Sequence, residues 1–540
     1  MEGYESFGLM VDCSRNGVLN LDSIKTLLPM LSKMGYDTLL LYTEDTYEVP
    51  GEPYFGSLRG RYSQKEIKEI VSLASSYGIE VIPCIQTLAH LNAIFRHEAY
   101  QSIHDVDDIL LVDEERTYEF IDHLFTSIEE NFTSRKVHVG MDEAHMLGLG
   151  KYKDLHGIHD RTEIFIKHLS RVQEIAKKHG FQPMMWSDMF FRLVSGSGEY
   201  YDEKAKLDPE KLKQVPRDIG QVYWDYYHDD PAFYEKMIDL HRQISGGEVI
   251  FAAGVWTWVG YAPLLSVAEK NLKAGLSAAK KKGVENVFLT AWGDDGAECS
   301  LFAALPSLFY AREIALGRED PKRIEKDFDA MFPTLHYADF RFLDCPNRLS
   351  MSPKANLVVN PSKYFLYSDP LLGLSDGKVV ESDEKLYGEY ACKLKEMAPR
   401  NLGFEYLFEE LSSLCALLEK KLTLGVNLRK AYRSKEEGQL ESCLVQIGEC
   451  LSRLEDFKEK LRVRWMKENK PNGLEVLQIR FGGMRERLLE AKRRVEEYIS
   501  GEVSSLPELE EDILPMNLQG DPKEATCWNL YRVLASNCPI

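Results

Sequence analysis

The chain has 540 residues, and its 86 acidic against 66 basic side chains give a net charge of −20. That acid excess, with a pI near 5.3, excludes sequence-independent binding to nucleic acid or anionic lipid, because both need a basic face. Hydrophobic content of 44% and charged content of 28% fit a globular protein with room for two or three domains.

The first residues, Met1-Glu-Gly-Tyr-Glu-Ser-Phe7, carry neither a basic stretch nor an apolar core of the secretory kind. No apolar run reaches the length of a membrane span. The ten cysteines are scattered, without a Cys-x-x-Cys pair or a Cys/His cluster, so reduced thiols and a cytoplasmic location are expected.

Eight short apolar runs recur through the first 300 residues, at 7–11, 38–42, 79–85, 137–139, 183–186, 220–224, 249–255 and 287–292. Amphipathic helical patterns lie between them, clearest at 21–34, 64–77, 116–130, 161–179, 231–244, 266–282 and 301–315, and weakest around 200–214. Strand-helix alternation implies a parallel sheet, and eight units of it predict an α/β fold of the (β/α)8 barrel type over residues 1–320. An open doubly wound sheet is the runner-up. It lacks a Gly-x-Gly-x-x-Gly after the first run.

Past residue 320 the pattern changes, with an irregular, partly helical connection over 321–380. Long helical segments follow near 383–397, 403–431, 434–466 and 473–499, so that 381–540 reads as a helical domain with an irregular tail. Leu407, Leu411, Leu414, Leu418 and Leu422 keep three-to-four spacing, the core stripe of a bundle. This stripe packs either on the barrel or on a second copy in a homodimer, and the sequence leaves both open.

A barrel carries its chemistry where strands end. After the eight runs come Asp12-Cys-Ser-Arg15, Glu44-Asp45, Gln86-Thr-Leu-Ala-His90, Asp142-Glu143, Trp186-Ser-Asp188, Trp224-Asp-Tyr226, Trp256-Thr-Trp258 and Trp292-Gly-Asp294-Asp295. Five of the seven tryptophans stand at these ends. Singly each is an ordinary core aromatic, but together with acids and an arginine they describe a pocket for a sugar ring. Asp142-Glu143-Ala144-His145 also spells a box of nucleic-acid-dependent ATPases, and that reading fails for want of a phosphate loop ending in Gly-Lys-Ser/Thr. A metal site built on His90, His138, Asp142, Glu143 and His145 is disfavoured, since His138 lies inside its strand and no His-Glu-x-x-His occurs. No metal and no organic cofactor are expected.

His138-Val-Gly-Met-Asp142-Glu143 resembles the His-x-Gly-x-Asp-Glu signature of the family 20 glycoside hydrolases, the β-N-acetylhexosaminidases. Asp12-x-Ser-Arg15, Glu44-Asp45, His90 and Trp292-Gly-Asp294 follow in that family's order over residues 1 to about 316. The resemblance implies release of terminal β-linked GlcNAc or GalNAc from an N-acetylhexosamine oligosaccharide, with retention and with the substrate's own acetamido oxygen as nucleophile. It makes Glu143 the general acid and base, and Asp142 the acceptor of the acetamido N–H. Glu44 and His90 become a relay behind Glu143. Arg15 forks onto ring hydroxyls, Trp186, Trp224 and Trp292 wall the pocket, and Asp294 takes the outer hydroxyls. One of Trp256 and Trp258 touches the acetamido group, with Tyr226 and Tyr261 as candidates for a family tyrosine there. The acid needs a poorly solvated, anion-crowded place to stay protonated near neutral pH.

The sequence departs from the family at several points. Phe7 replaces an arginine, Glu44-Asp45 an Asp-Asp pair, Leu88-Ala89 a Pro-Gly, and Asp294 a glutamate. The shorter Asp294 leaves gluco against galacto preference open. A sugar-binding barrel without catalysis and a two-carboxylate retaining β-glycosidase are the alternatives.

Overall fold

The computed structural model describes residues 3–194, 199–245, 248–350, 358–516, 521 and 523–538. Eight parallel strands close in chain order: β1 (Ser6–Asp12), β2 (Thr38–Tyr42), β3 (Glu80–Cys84), β4 (Lys136–His138), β5 (Gln182–Trp186), β6 (Gly220–Trp224), β7 (Val249–Gly254) and β8 (Asn286–Ala291). Closure is made by β1, whose Gly8 is in register with Thr38 of β2 on one side and with Phe288 of β8 on the other. Nearly every strand residue is buried, because one face meets the barrel interior and the other the surrounding helices. Met10, Leu40, Ile82, Cys84, Met184, Trp186, Val222, Ile250, Ala252 and Phe288 fill the interior with Tyr42.

The helices between strands form where apolar spacing and end signals agree. Leu21–Met34 starts on Asn20, whose side chain accepts the Ser23 N–H. Gln64–Ser76 starts on a reciprocal Ser63/Glu66 capping box. Among the described residues, the connection between β5 and β6 holds the short helices Asp188–Val194 and Pro209–Leu212 and none longer, which accounts for the weak pattern there.

The chain divides into two compact units. The first comprises Met1–Gly254, Glu269–Trp292 and Leu308–Glu319, and the second Val255–Ala268, Gly293–Ser307 and Asp320–Ile540. The second unit contains the helices Asp383–Met397, Glu405–Lys421, Leu424–Ser434, Glu437–Glu468 and Leu474–Ile499. The leucine stripe 407, 411, 414, 418 and 422 is buried inside it. Beneath these helices run charged networks. Arg464 Nε donates to Glu410 Oε2 at 2.6 Å and its Nη2 to the Glu298 carbonyl at 2.8 Å. Lys363 Nζ lies 2.8 Å from Asp295 Oδ2 and 2.6 Å from Glu298 Oε2, and Arg480 pairs with the same two acids. Among the described residues no helix is long and apolar enough to cross a membrane.

Candidate active site

The first unit gathers its chemistry at the carboxyl ends of its strands. After β1, Asp12 Oδ1 accepts the Ser14 N–H and Oγ–H at 2.8 and 2.7 Å, which shapes the turn that presents Arg15. The Arg15 guanidinium lies 5.0 Å from the Tyr42 ring centre and 5.1 Å from that of Trp292. Its Nη1 is 3.4 Å from Asp12 Oδ2 and 3.3 Å from Glu44 Oε1. Glu44 also accepts the Tyr42 hydroxyl at 3.0 Å. Burial raises the Glu44 carboxyl above its ordinary range, and the Arg15 charge opposes that rise.

After β3 the chain turns so that His90 faces the acids after β4. His90 Nε2 lies 3.2 Å from Asp142 Oδ2 and 3.8 Å from Glu143 Oε2, while Nδ1 lies 3.8 Å from Asp108 Oδ2. Asp108 Oδ2 also accepts the His90 main-chain N–H at 3.0 Å. Asp142 is buried, and its Oδ1 accepts the Gln86 amide at 2.8 Å. Burial alone would raise its carboxyl. The His90 charge and hydrogen bond, then Gln86 and Arg15, outweigh that and bring it down to about 2. Burial would lower His90 in turn, but Asp142 holds it well above the usual imidazole value. The pair is therefore ionic, with one carboxylate oxygen accepting the Gln86 amide and the other facing the His90 ring.

Glu143 is turned differently. Its side chain is 38% exposed and its main chain takes φ 52°. The carboxyl of Asp188, just past β5, holds that main chain by accepting the Glu143 N–H at 3.1 Å on Oδ2, while Oδ1 accepts the Trp224 indole N–H at 3.3 Å. Tyr200 donates its hydroxyl to Glu143 Oε1 at 3.3 Å, lies 3.1 Å from His145 Nε2, and packs its ring 5.4 Å from Trp224.

Aromatic rings close the walls. Trp292 meets Tyr42 edge-on at 4.8 Å and Trp186 at 6.0 Å, and donates its indole N–H to the Tyr226 hydroxyl at 3.0 Å. Tyr226 in turn stacks on Trp224 at 5.4 Å. Trp186 is fully buried with its indole N–H unpartnered, against the equally buried His138 ring 4.3 Å away. Burial pushes His138 down to about 3, so it is neutral, and its Nδ1 accepts the Gly140 N–H at 3.0 Å.

Arg15, Glu44, His90, Asp142, Glu143, Trp186, Trp224, Tyr226 and Trp292 thus share the first unit. Trp256, Trp258 and Asp294 belong to the second. There Trp256 and Trp258 are buried and stacked on each other at 4.5 Å, and Asp294 is exposed. Tyr261, also in the second unit, pairs its hydroxyl with that of Tyr367. Gln86, Asp188, Tyr42 and Tyr200 carry contacts at the site without having been assigned a part from the sequence. Gln86 and Asp188 stood in the strand-end register that marks such residues, whereas Tyr200 lies in a stretch without periodicity. Among the described residues no group of three or more His, Cys, Asp or Glu side chains is arranged to hold a metal ion.

Residues 4–206 match the family described as Glycosyl hydrolase family 20, catalytic domain, and residues 338–528 match the Glycoside Hydrolase 20C C-terminal domain. Hexosaminidase D of Bos taurus is 25% identical over 285 residues, which cover 50% of this chain and 79% of that protein. Hexosaminidase D of Homo sapiens is 26% identical over 235 residues, or 41% of this chain and 43% of the human protein. A solved β-N-acetylhexosaminidase structure superposes with a TM-score of 0.47 at 17% identity, over 61% of this chain and 76% of its own. With a closed eight-stranded barrel beneath a paired Asp-Glu and both domain types of one family in order, the chain belongs to the family 20 glycoside hydrolases.

Proposed function

We propose that this glycosidase is an exo-acting β-N-acetylhexosaminidase, which removes terminal β-linked GlcNAc or GalNAc from oligosaccharides or glycoconjugates with retention of configuration. The observation that carries the reading is the unequal treatment of two neighbouring carboxyls. Asp142 is sunk among donors and kept ionised by His90, Gln86 and Arg15. Glu143 reaches outward from a main chain fixed by Asp188.

An ionised, buried carboxylate is suited to accept the acetamido N–H of a bound sugar. Holding that amide turns its carbonyl oxygen toward the anomeric carbon, and the negative charge stabilises the positive oxazolinium that forms. Glu143 protonates the departing oxygen and then takes a proton from the water that opens the ring. Arg15, flanked by Tyr42 and Trp292, supplies planar donors for ring hydroxyls. Trp224 and Trp292, both partly exposed, offer apolar faces to the sugar and its methyl group, with Trp186 and Tyr226 packed behind them. A conventional enzymic nucleophile would need an ionised carboxylate opposite the acid. Asp188 is poorly suited to that part, because burial and the Asp142 charge raise its carboxyl to about 8 and so keep it protonated near neutral pH.

We assign the enzyme to the reducing cytosol because none of its ten cysteines is joined in a disulfide. The decisive experiment compares 4-nitrophenyl β-N-acetylglucosaminide and β-N-acetylgalactosaminide with the plain β-glucoside, and adds a thiazoline mimic of the cyclised intermediate. Turnover of the amino sugars only, with tight thiazoline inhibition and the β-anomer as first product, is expected. Efficient cleavage of the plain glucoside, or indifference to the thiazoline, would overturn the mechanism.

A further inference from the structure

Gln86 follows β3 by two residues and its side chain is 0% exposed. Its Oε1 accepts the Met141 main-chain N–H at 3.1 Å, and its Nε2 donates to Asp142 Oδ1 and to the Tyr42 hydroxyl, both at 2.8 Å. A peptide N–H can only donate, so it must meet the amide oxygen. That leaves the NH2 end facing Asp142 and Tyr42. The Gly140 main chain packs close against that amide oxygen: a Cβ added there would stand 2.0 Å from Gln86 Oε1.

The direction of every following bond is then fixed. The NH2 group has no lone pair to offer, so Asp142 Oδ1 must accept. Tyr42, having accepted from Gln86, directs its own proton to Glu44 Oε1 at 3.0 Å. Glu44 Oε1 in turn lies 3.3 Å from Arg15 Nη1. A continuous chain therefore runs from Arg15 through Glu44, Tyr42 and Gln86 to Asp142 and His90. In the proposed binding mode one end faces the ring hydroxyls and the other the acetamido group of the same sugar.

We propose that Gln86 is a positioning residue of this reaction: it holds Asp142 as a hydrogen-bond acceptor turned toward the substrate's acetamido N–H, and ties that carboxylate to the hydroxyl-binding Arg15. The inference rests on the substrate-assisted reading, and deepens it by naming the group that aims the assisting carboxylate. Gln86 touches no reacting atom. Its effect should fall on acyl participation rather than on sugar affinity.

The test uses the full chain, the variants Gln86→Met and Gln86→Glu, and aryl β-glycosides whose 2-acylamino group is acetyl, fluoroacetyl, difluoroacetyl or trifluoroacetyl. Fluorine weakens the carbonyl oxygen as a nucleophile, so wild-type kcat should fall steeply along the series. Gln86→Met removes the donors at similar volume. Gln86→Glu keeps an acceptor for Met141 but sets an oxygen against Asp142. Both variants are expected to lose on the order of tenfold to a hundredfold in kcat on the acetyl substrate, with KM nearly unchanged and a flatter decline across the series. Folded variants that keep wild-type kcat, or that lose the same factor on every substrate, overturn the assignment. A flat series in the wild-type enzyme overturns the substrate-assisted reading itself.

Discussion

Asp188 Oδ2 accepts the main-chain N–H of Glu143 at 3.1 Å, so a side chain from the end of β5 pins the backbone at the end of β4. Burial and then the Asp142 charge raise the Asp188 carboxyl to about 8, against the Glu143 N–H that favours its ionised form. At intermediate pH the folded protein holds a proton there that the unfolded chain has released. Stability therefore falls as pH rises from the ordinary carboxylate value of 3.8 toward about 8. His90 acts in the same sense over a later window. Its pairing with Asp142 stabilises fully below the ordinary imidazole value of 6.5 and is lost as pH rises toward about 10. Asp142 works oppositely, its contribution being present above 3.8 and lost as pH falls toward about 2. Thermal unfolding followed by circular dichroism should show Tm declining from about pH 5 to pH 9. Asp188→Asn should flatten the portion below about pH 8 and leave the later decline. An unchanged slope in that variant refutes the assignment.

Glu143→Gln keeps shape and volume and removes the transferable proton. Turnover of the 4-nitrophenyl amino sugar should fall by roughly 10² to 10⁴, with Tm moved by no more than about 2 °C. Steady-state rates beside a melting curve decide it, and near-normal turnover would remove Glu143 from the acid's role.

Gly140 takes φ +72°, and a Cβ there would meet Gln86 Oε1 at 2.0 Å and the Ile85 carbonyl at 2.9 Å. Gly140→Ala should cost more than about 2 kcal/mol, combining a left-handed main chain with a clash against a fixed amide. Urea unfolding measures the loss, and kcat should drop along with it as Asp142 is displaced.

In the second unit Arg464 is buried with Glu410 and lies 3.8 Å from Glu468. Arg464→Met leaves two buried acids facing each other and should cost about 3–5 kcal/mol. Adding Glu410→Leu to Arg464→Met should recover part of that loss, because one of the two uncompensated acids, and their mutual repulsion, is gone. A double variant no better than the single one would mean that packing, not charge, sets the cost.

Periodicity made the barrel legible: the runs at 38–42 and 220–224 coincide with β2 and β6. The run at 137–139 overreaches β4 by one residue, because the chain enters its turn before Gly140 and Met141 take φ near 72°. The expected helix at 403–431 is two, Glu405–Lys421 and Leu424–Ser434. Its buried stripe passes through the break at Leu422, so hydrophobic spacing could not reveal it. Residue type and strand-end position were enough to nominate Arg15, Asp142 and Glu143. They could not assign Gln86 or Asp188, whose parts depend on which main-chain N–H each one meets. Tyr200 reaches Glu143 from an irregular connection, where only tertiary folding supplies the neighbour.

Glu44, His90, Met141 and Glu143 adopt φ of 43°, 57°, 72° and 52°, a conformation that side-chain-bearing residues seldom occupy. Anyone diversifying these positions by mutagenesis would be sampling loop shape together with reactivity. Asparagine, aspartate or glycine should preserve the turns, and β-branched replacements should break them whatever their chemistry. A dead variant at such a position needs its geometry checked before its lost functional group is blamed.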